Sequence, residues 1–254
     1  MKISIVTITY NSVLTILECI NSVKHQNYKN IEHILIDGSS SDGTIELLSE
    51  NSKNFTKIIS EPDKGIYDAL NKGIANSSGD VIGILHSDDK FENEKVISEI
   101  AEIFNEDPNI DIVIGNVVFF DKEFSNKKKR IIRSYRFKPW MLRFGFMPAH
   151  TATFIRSSVF KKIGNYKDEY KSAGDFEFFI RIFIVNKLKC YFLNKIITNM
   201  RFGGTSTKGI KSYLTTSLEI LKALRQYKIY SNIFFILARL PIKWLNQLIY
   251  LFWK

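Results

Sequence analysis

The apolar run Gly83-Ile84-Leu85 stops at His86, Ser87, Asp88 and Asp89. Two adjacent carboxylates at a strand end repel each other unless a positive charge sits between them and a third partner. A hard divalent cation, Mn2+ or Mg2+, meets that need. It accepts one or two protein carboxylates and completes its shell with phosphate oxygens and water. Asp88 or Asp89 could equally cap a following helix, so these four residues alone leave both readings open. Polar residues also close three other apolar runs: Thr9, Tyr10 and Asn11; Asp37, Gly38 and Ser39; and Glu61, Pro62, Asp63 and Lys64.

The elements that carry these groups follow from hydrophobic period. Residues 3–9, 33–37, 57–60, 80–85 and 111–120 read as strands. Between them, 13–25, 39–51, 65–77 and 93–106 read as helices, with Leu14, Leu17, Ile20 and Val23 on one face of the first and Ile66, Leu70 and Ile74 on one face of the third. Strand and helix in alternation predict an α/β fold: an open, mainly parallel sheet with helices on both faces. Ligands of such sheets bind beyond the carboxyl ends of the strands. Four consecutive strand ends bearing hydrogen-bonding groups therefore predict one ligand crevice.

The pattern changes after residue 121. A basic strand or hairpin (130–137), a short amphipathic element (139–146), a strand (150–155) and a helix ending at Gly164 (157–164) are expected. An apolar helix (175–187), two short strands (189–193 and 196–200) and helical pieces over 208–228 and 230–254 follow, the last interrupted by Pro241. Asp175 and Glu177 point about 200° apart on their helix, so one can face a cleft while the other meets Arg181 at i+4. Trp140 could stack on a sugar ring or fill the core, and the core is the favoured expectation. His150 is either a site residue near phosphates or acceptor, or a buried structural histidine. Arg201, Gly203 and Gly204 form either a phosphate- or acceptor-side loop or a plain turn.

The 254 residues, 45% of them hydrophobic, can bury a substantial core, and no run of about 20 apolar residues predicts a spanning helix. Cys19 and Cys190 lack metal-type spacing and read as reduced thiols, which fits a cytoplasmic setting. The net charge of +10 is concentrated in residues 127–143 and in the tail, where Glu219 stands almost alone among lysines and arginines. Nucleic acid, anionic membrane and phosphorylated substrates all suit such charge, but no nucleic-acid-binding module is recognisable.

The stretches "SIVTITYN", "LIDGSSSDGT", "EPDKGIYDALNKGIANSSGDVIGILHSDD" and "AGDFEFFIRI" resemble those of an inverting glycosyltransferase of family 2, of the bacterial O-antigen, capsule and colanic-acid type. The resemblance covers roughly residues 1–205 and implies the GT-A fold. Residues 1–121 would then bind the nucleotide sugar, 122–207 would bind the acceptor and supply the base, and 208–254 would form a basic amphipathic helical tail.

The resemblance also implies roles. Thr9 and Asn11 would touch nucleobase and ribose, Asp37 the uracil N3–H, and Asp63 and Lys64 would border the nucleotide. Ser87 and Asp88 fall in the Asp-x-Asp metal motif, with Asp88 as the direct ligand of Mn2+ or Mg2+ and Asp89 supporting it. His86 replaces the motif's first acid, which removes a ribose contact and leaves a nitrogen donor beside the metal. Asp175 matches the catalytic base, with Glu177 the rival; a helix-capping role for Asp175 remains open beside it.

The implied activity is metal-dependent transfer of a sugar from a UDP-sugar to a saccharide acceptor carried on a polyprenyl diphosphate. Residues 229–254, with Arg239, Lys243 and Lys254 spaced among Trp244, Tyr250 and Trp253, suit a helix in the membrane interface. Packing on the catalytic domain or in a homodimer is the alternative. The expected location is the inner face of the cytoplasmic membrane, peripherally bound. A nucleotidyltransferase would need a Gly- and Arg-rich loop where "TYNSV" stands; a non-catalytic nucleotide-sugar-binding protein would tolerate loss of the acids at 88 and 175.

Overall fold

The computed structural model describes residues 1–121, 128–201, 209–239 and 241. Its strands are β1 (Ile3–Thr9), β2 (Ile31–Asp37), β3 (Lys57–Ser60), β4 (Val81–His86), β5 (Lys90–Phe91), β6 (Ile112–Phe120), β7 (Lys128–Ile132), β8 (Thr153–Arg156) and β9 (Cys190–Arg201). Its helices are α1 (Ile16–Lys24), α2 (Thr44–Glu50), α3 (Ile66–Ala75), α4 (Val96–Glu106), α5 (Ser157–Ile163), α6 (Gly174–Ile180), α7 (Gly209–Gln226) and α8 (Ile233–Leu237).

The strands form one sheet in the order β3-β2-β1-β4-β8-β6-β9-β5, with β7 pairing β6 beside β8's place. β1, β2, β3, β4, β6 and β9 run one way, and β5, β7 and β8 oppose them. β1 is buried along its whole length because parallel neighbours flank it and helices cover both faces. Its alternate residues feed different cores. Val6 and Ile8 pack with α3, α5, α6 and α7, whereas Ile3 and Ile5 pack with α1 and α4. The expected α/β architecture is therefore present, and strands from both sides of residue 121 share the sheet.

Several local expectations are corrected. α1 starts at Ile16 and buries Ile16, Cys19, Ile20 and Val23, which leaves Leu14 almost fully exposed. α3 buries Tyr67, Leu70 and Ile74, so Ile66 stands exposed at the helix start. Residues 189–193 and 196–200 are one strand rather than two; irregular register opposite Asn116 absorbs the interruption. The helix after Asp175 widens to π-helical geometry over Arg181–Val185. Trp140 is exposed rather than in the core.

In the tail, α7 packs against α6, and Arg239 is buried rather than turned to headgroups. Its guanidinium lies over the Tyr213 ring and donates to Tyr213 Oη (3.1 Å) and Ser217 Oγ (3.0 Å). Lys127, Gly203, Gly204, Lys243, Trp244, Tyr250, Trp253 and Lys254 lie outside the described residues. Among the described residues no helix is long and apolar enough to cross a membrane.

Candidate active site

The carboxyl ends of β1, β2, β3 and β4 meet at one rim, and their loops are tied to one another. Gly38 N donates to Thr9 O (3.0 Å), Glu61 N to Asp37 O (3.0 Å) and Ser87 N to Ile8 O (3.2 Å). Asn11 and Ser39 both have left-handed backbone, φ 49° and 63°, a conformation that non-glycine residues hold only when their surroundings fix it. Here Asn11 N donates to Ser40 Oγ (2.8 Å) and Asn11 Oδ1 accepts from Ser41 N (2.9 Å), which locks the first loop to the second. Ser12 Oγ lies 2.8 Å from Ser87 Oγ, joining the first loop to the fourth.

Within this frame Asp37 is completely buried. Its carboxylate accepts from Ser40 N (3.0 Å), Ser40 Oγ (2.5 Å) and Ser60 Oγ (2.8 Å). It thus orients two rim hydroxyls. Asp63 leans over Gly38, where any side chain would collide with its carboxylate, and accepts from Gly65 N (2.9 Å). Lys64 and Tyr10 are exposed beside it. Thr9 is buried, its Oγ1 without a hydrogen-bond partner among the described residues.

At the end of β4, Asp88 is half-buried and Ser87 and Asp89 are buried. Neither Asp89 carboxylate oxygen has a hydrogen-bond partner among the described residues. Burial, with repulsion from Asp88, drives its carboxyl well above the usual range; the backbone and guanidinium of Arg201 oppose this only in part. A buried carboxyl that only Arg201 favours, beside a second, more open one, is the environment a hard cation relieves. Among the described residues no three His, Cys, Asp or Glu side chains converge as a complete cage, so a cation here would draw its other ligands from a bound ligand and water. Arg201, at the end of β9, also donates through Nη2 to Glu18 Oε1 (2.7 Å), which holds it on the Asp89 side of the rim.

A row of side chains leads from this rim to Asp175. The His86 and His150 rings are 6.1 Å apart, and His150 Nε2 lies 2.8 Å from Tyr166 Oη. Tyr166 stacks on Tyr67 at 6.0 Å, and Tyr67 Oη donates to Asp175 Oδ1 (3.2 Å). Burial lowers the pKa of His150 to about 3, so its imidazole is neutral. Burial raises that of Asp175 to about 6, despite hydrogen bonds from Phe176 N and Tyr67 that favour its ionised form. Asn71 grips the Tyr166 backbone at both polar groups (2.8 and 3.0 Å), joining α3 to this wall. Gly174 is needed here because a Cβ would lie within 2.9 Å of the Tyr67 ring.

Glu177 takes the opposite direction. It is fully buried, 2.9 Å from Arg181 Nη2 and 3.2 Å from Lys167 Nζ, and accepts from Tyr227 Oη. Arg181 in turn donates to the carbonyls of Ile163, Gly164 and Asn165, at the C-terminal end of α5. Glu177 is thus committed to structure, and Asp175 is the acid that faces the row. Replacing Glu177 by Gln leaves Arg181 buried with a weaker partner. The expected cost is about 3 kcal/mol of stability, as for other broken buried pairs, read by denaturant unfolding; a loss under about 1 kcal/mol would contradict this assignment.

Tyr67, Tyr166 and Glu219 are absent from the sequence-level candidates. Tyr67 carried a signal: with Leu70 and Ile74 it makes an i, i+3, i+7 face. Glu219 carried another, as a lone acid in a basic tail. Its carboxylate accepts from the backbone N–H groups of Lys171 (2.9 Å), Ser172 (2.9 Å) and Ala173 (3.0 Å), fixing the turn that launches Asp175. Glu219→Ala should lower kcat roughly 10- to 100-fold through misplacement of Asp175, with donor KM nearly unchanged in steady-state assays. An unaltered kcat would mean the turn holds itself.

Solved structures share this architecture. S. aureus TarS in complex with UDP-GlcNAc matches with a TM-score of 0.68 at 18% identity, over 88% of this chain and 66% of that one. The mannosyltransferase PcManGT from Pyrobaculum calidifontis, in complex with GDP-Man and Mn2+, matches with a TM-score of 0.67 at 14% identity, over 91% of this chain and 65% of that one. The chain thus spans about two thirds of their length, and the fold is of the GT-A glycosyltransferase type. The model for glycosyl transferase family 2 matches residues 4–164. An uncharacterized glycosyltransferase, MT1564 of Mycobacterium tuberculosis (strain CDC 1551 / Oshkosh), is 33% identical over 184 residues, 72% of this chain and 69% of that protein. The chain belongs to glycosyl transferase family 2.

Proposed function

We propose that the protein is an inverting hexosyltransferase that moves a sugar from a UDP-sugar to a hydroxyl of a saccharide carried on a polyprenyl diphosphate, in the building of a bacterial surface polysaccharide. The observation that carries this reading is the continuous row from His86 through His150, Tyr166 and Tyr67 to Asp175. It joins the nucleotide rim to a carboxyl that titrates near 6.

Thr9, Asn11, Asp37, Asp63, Lys64, Ser87 and Asp88 make up the donor side. Asp37 acts by orienting Ser40 and Ser60 as well as through any base contact. Asp88, with Asp89 or His86 in support, would hold Mn2+ or Mg2+, which when bound offsets negative charge on a diphosphate leaving group. His150 and Arg201 belong to the walls of the cleft. Asp175 takes the proton of the acceptor hydroxyl as its oxygen bonds to the anomeric carbon and the bond from that carbon to the diphosphate oxygen breaks. Displacement in one step inverts the anomeric configuration, with no covalent sugar–protein intermediate. Tyr67 orients the Asp175 carboxyl by its hydrogen bond.

A lipid-linked acceptor places the enzyme at the inner face of the cytoplasmic membrane, which suits the chain's net charge of +10. The test is a panel of nucleotide sugars offered with a short diphospholipid acceptor, with and without Mn2+, and NMR of the product. A UDP-sugar consumed with inverted configuration is expected; a retained configuration would overturn single displacement.

A further inference from the structure

Three large aromatic side chains stand in water on one face of the protein. Trp140 is 62% exposed, Tyr230 71% and Phe234 78%. Trp140 and Tyr230 are the two ends of one strip, and Phe234 neighbours its member Phe235 on α8. Trp140 meets Phe144 edge-on at 6.0 Å, Phe144 stacks on Phe235 at 5.0 Å, and Phe235 meets Tyr230 edge-on at 6.4 Å.

The strip has a rigid base. Trp140 and Phe144 lie on a 3-10 helix, Pro139–Phe144, which rests on α8. Ser231 Oγ donates to Arg143 O (2.6 Å), and Gly145 closes the short helix against Ile236 and Arg239. α8 is itself capped, Asn232 Oδ1 accepting from Phe235 N (2.9 Å). Buried Ile236 and Arg239 pin the unit to the domain, so the exposed rings are presented by a fixed platform.

The charge around the strip has one sign. Arg133, Arg136, Lys138 and Arg143 are exposed on the same stretch of chain as Trp140, and Lys228 precedes Tyr230. Residues 128–144 and 220–241 contain no Asp or Glu. Exposed aromatic rings of this extent mark an interaction surface. Aromatic rings with cations beside them and no carboxylate fit the interface of an anionic bilayer, where ring faces enter the headgroup–acyl boundary and Lys and Arg meet phosphate.

We infer that the Trp140–Phe144–Phe235–Tyr230 strip, with Phe234, is a docking surface for an anionic lipid bilayer. It deepens the membrane-side acceptor reading and rests on it for its purpose, but none of its residues belongs to the rim or to the row that ends at Asp175. Docking through a rigid platform would hold the cleft at a fixed height above the lipid, where a lipid-linked sugar is presented.

The test is flotation of the full chain with vesicles, without donor or acceptor. Binding to phosphatidylglycerol-containing vesicles and not to pure phosphatidylcholine is expected. Trp140→Ala with Phe234→Ala should weaken it by at least about tenfold, given the apolar area each ring buries. Replacing Lys138 or Arg143 by Ala should weaken it roughly fivefold each. In the variant W244F/W253F, Trp140 is the only tryptophan left, and brominated lipid should quench it. Vesicle binding without that quenching would assign docking to other residues and overturn the inference. So would equal binding by the doubly substituted protein, or a wild-type dimer in light scattering that the double substitution dissolves. Transfer to a water-soluble acceptor is measured alongside. Its survival in the docking variants supports the inference, whereas its absence in wild type counts against the function proposed above and leaves the vesicle result intact.

Discussion

Asp175→Asn should abolish sugar transfer while leaving nucleotide binding intact. The substitution preserves size and the hydrogen bond from Phe176 N, so the turn held by Glu219 and the Tyr67 ring stay in place. On the proposed mechanism it removes the one feature that matters, a carboxylate able to take the acceptor's proton. Loss of a positioned general base costs about 10²- to 10⁴-fold. Calorimetric titration with UDP and Mn2+ should give an unchanged affinity. If Asp175 is the base, as proposed, it must be ionised to act, so activity should rise with pH through about 6 and level off above it.

The stability consequence has a definite sign. The folded pKa, about 6, is above the ordinary aspartate value of 3.8, so between these values the folded state binds more protons than the unfolded chain. Stability therefore falls as pH rises across that window and is flat above it. The Asn variant should lack this dependence and melt higher than wild type at neutral pH. Transfer at a native rate by the Asn variant would remove Asp175 as the base.

Asp88→Asn should produce the second large loss, of a different kind. Asp88 is the half-buried member of a carboxylate pair whose buried partner, Asp89, has no hydrogen bond among the described residues. Removing its charge takes away the open side of the proposed cation site. A drop of roughly 10²- to 10³-fold in kcat/KM is expected, comparable to removal of one preorganised electrostatic group elsewhere. Unlike the Asp175 variant, this one should lose metal-dependent UDP affinity, and raised Mn2+ should restore part of it. It should also be more stable than wild type without metal, since repulsion from Asp88 is one reason that Asp89 resists ionisation. Unchanged metal-dependent binding would move the cation elsewhere.

Much of this arrangement was legible in the sequence because parallel strands buried on both faces write continuous apolar runs. Residues 3–9, 33–37 and 57–60 announced β1, β2 and β3 and the polar ends that form the rim. The helical separation of Asp175 from Glu177 likewise predicted that only one would face the cleft, with the other on Arg181. What stayed hidden depends on contacts distant in sequence. Nothing local says that the short strand 153–156 runs antiparallel between β4 and β6, or that Glu219 holds a turn 46 residues earlier. The faces of α1 and α3 differ from their hydrophobic periods because Leu14, Leu17 and Ile66 look like core residues, yet they lie just before or in the first turn of their helices and stand exposed. Trp140 and Arg239 exchanged their expected environments for a similar reason. Arg239 found Tyr213 and Ser217 on α7, and among the described residues no element covers Trp140.

The most direct test is anomalous scattering from crystals grown with UDP and Mn2+. The account predicts one manganese peak at the carboxyl end of β4, beside the Asp88 carboxylate and the bound UDP, with the uridine lying along Thr9, Asn11 and Asp63. Ordered UDP with no manganese at Asp88, or manganese bound away from that rim, would contradict it.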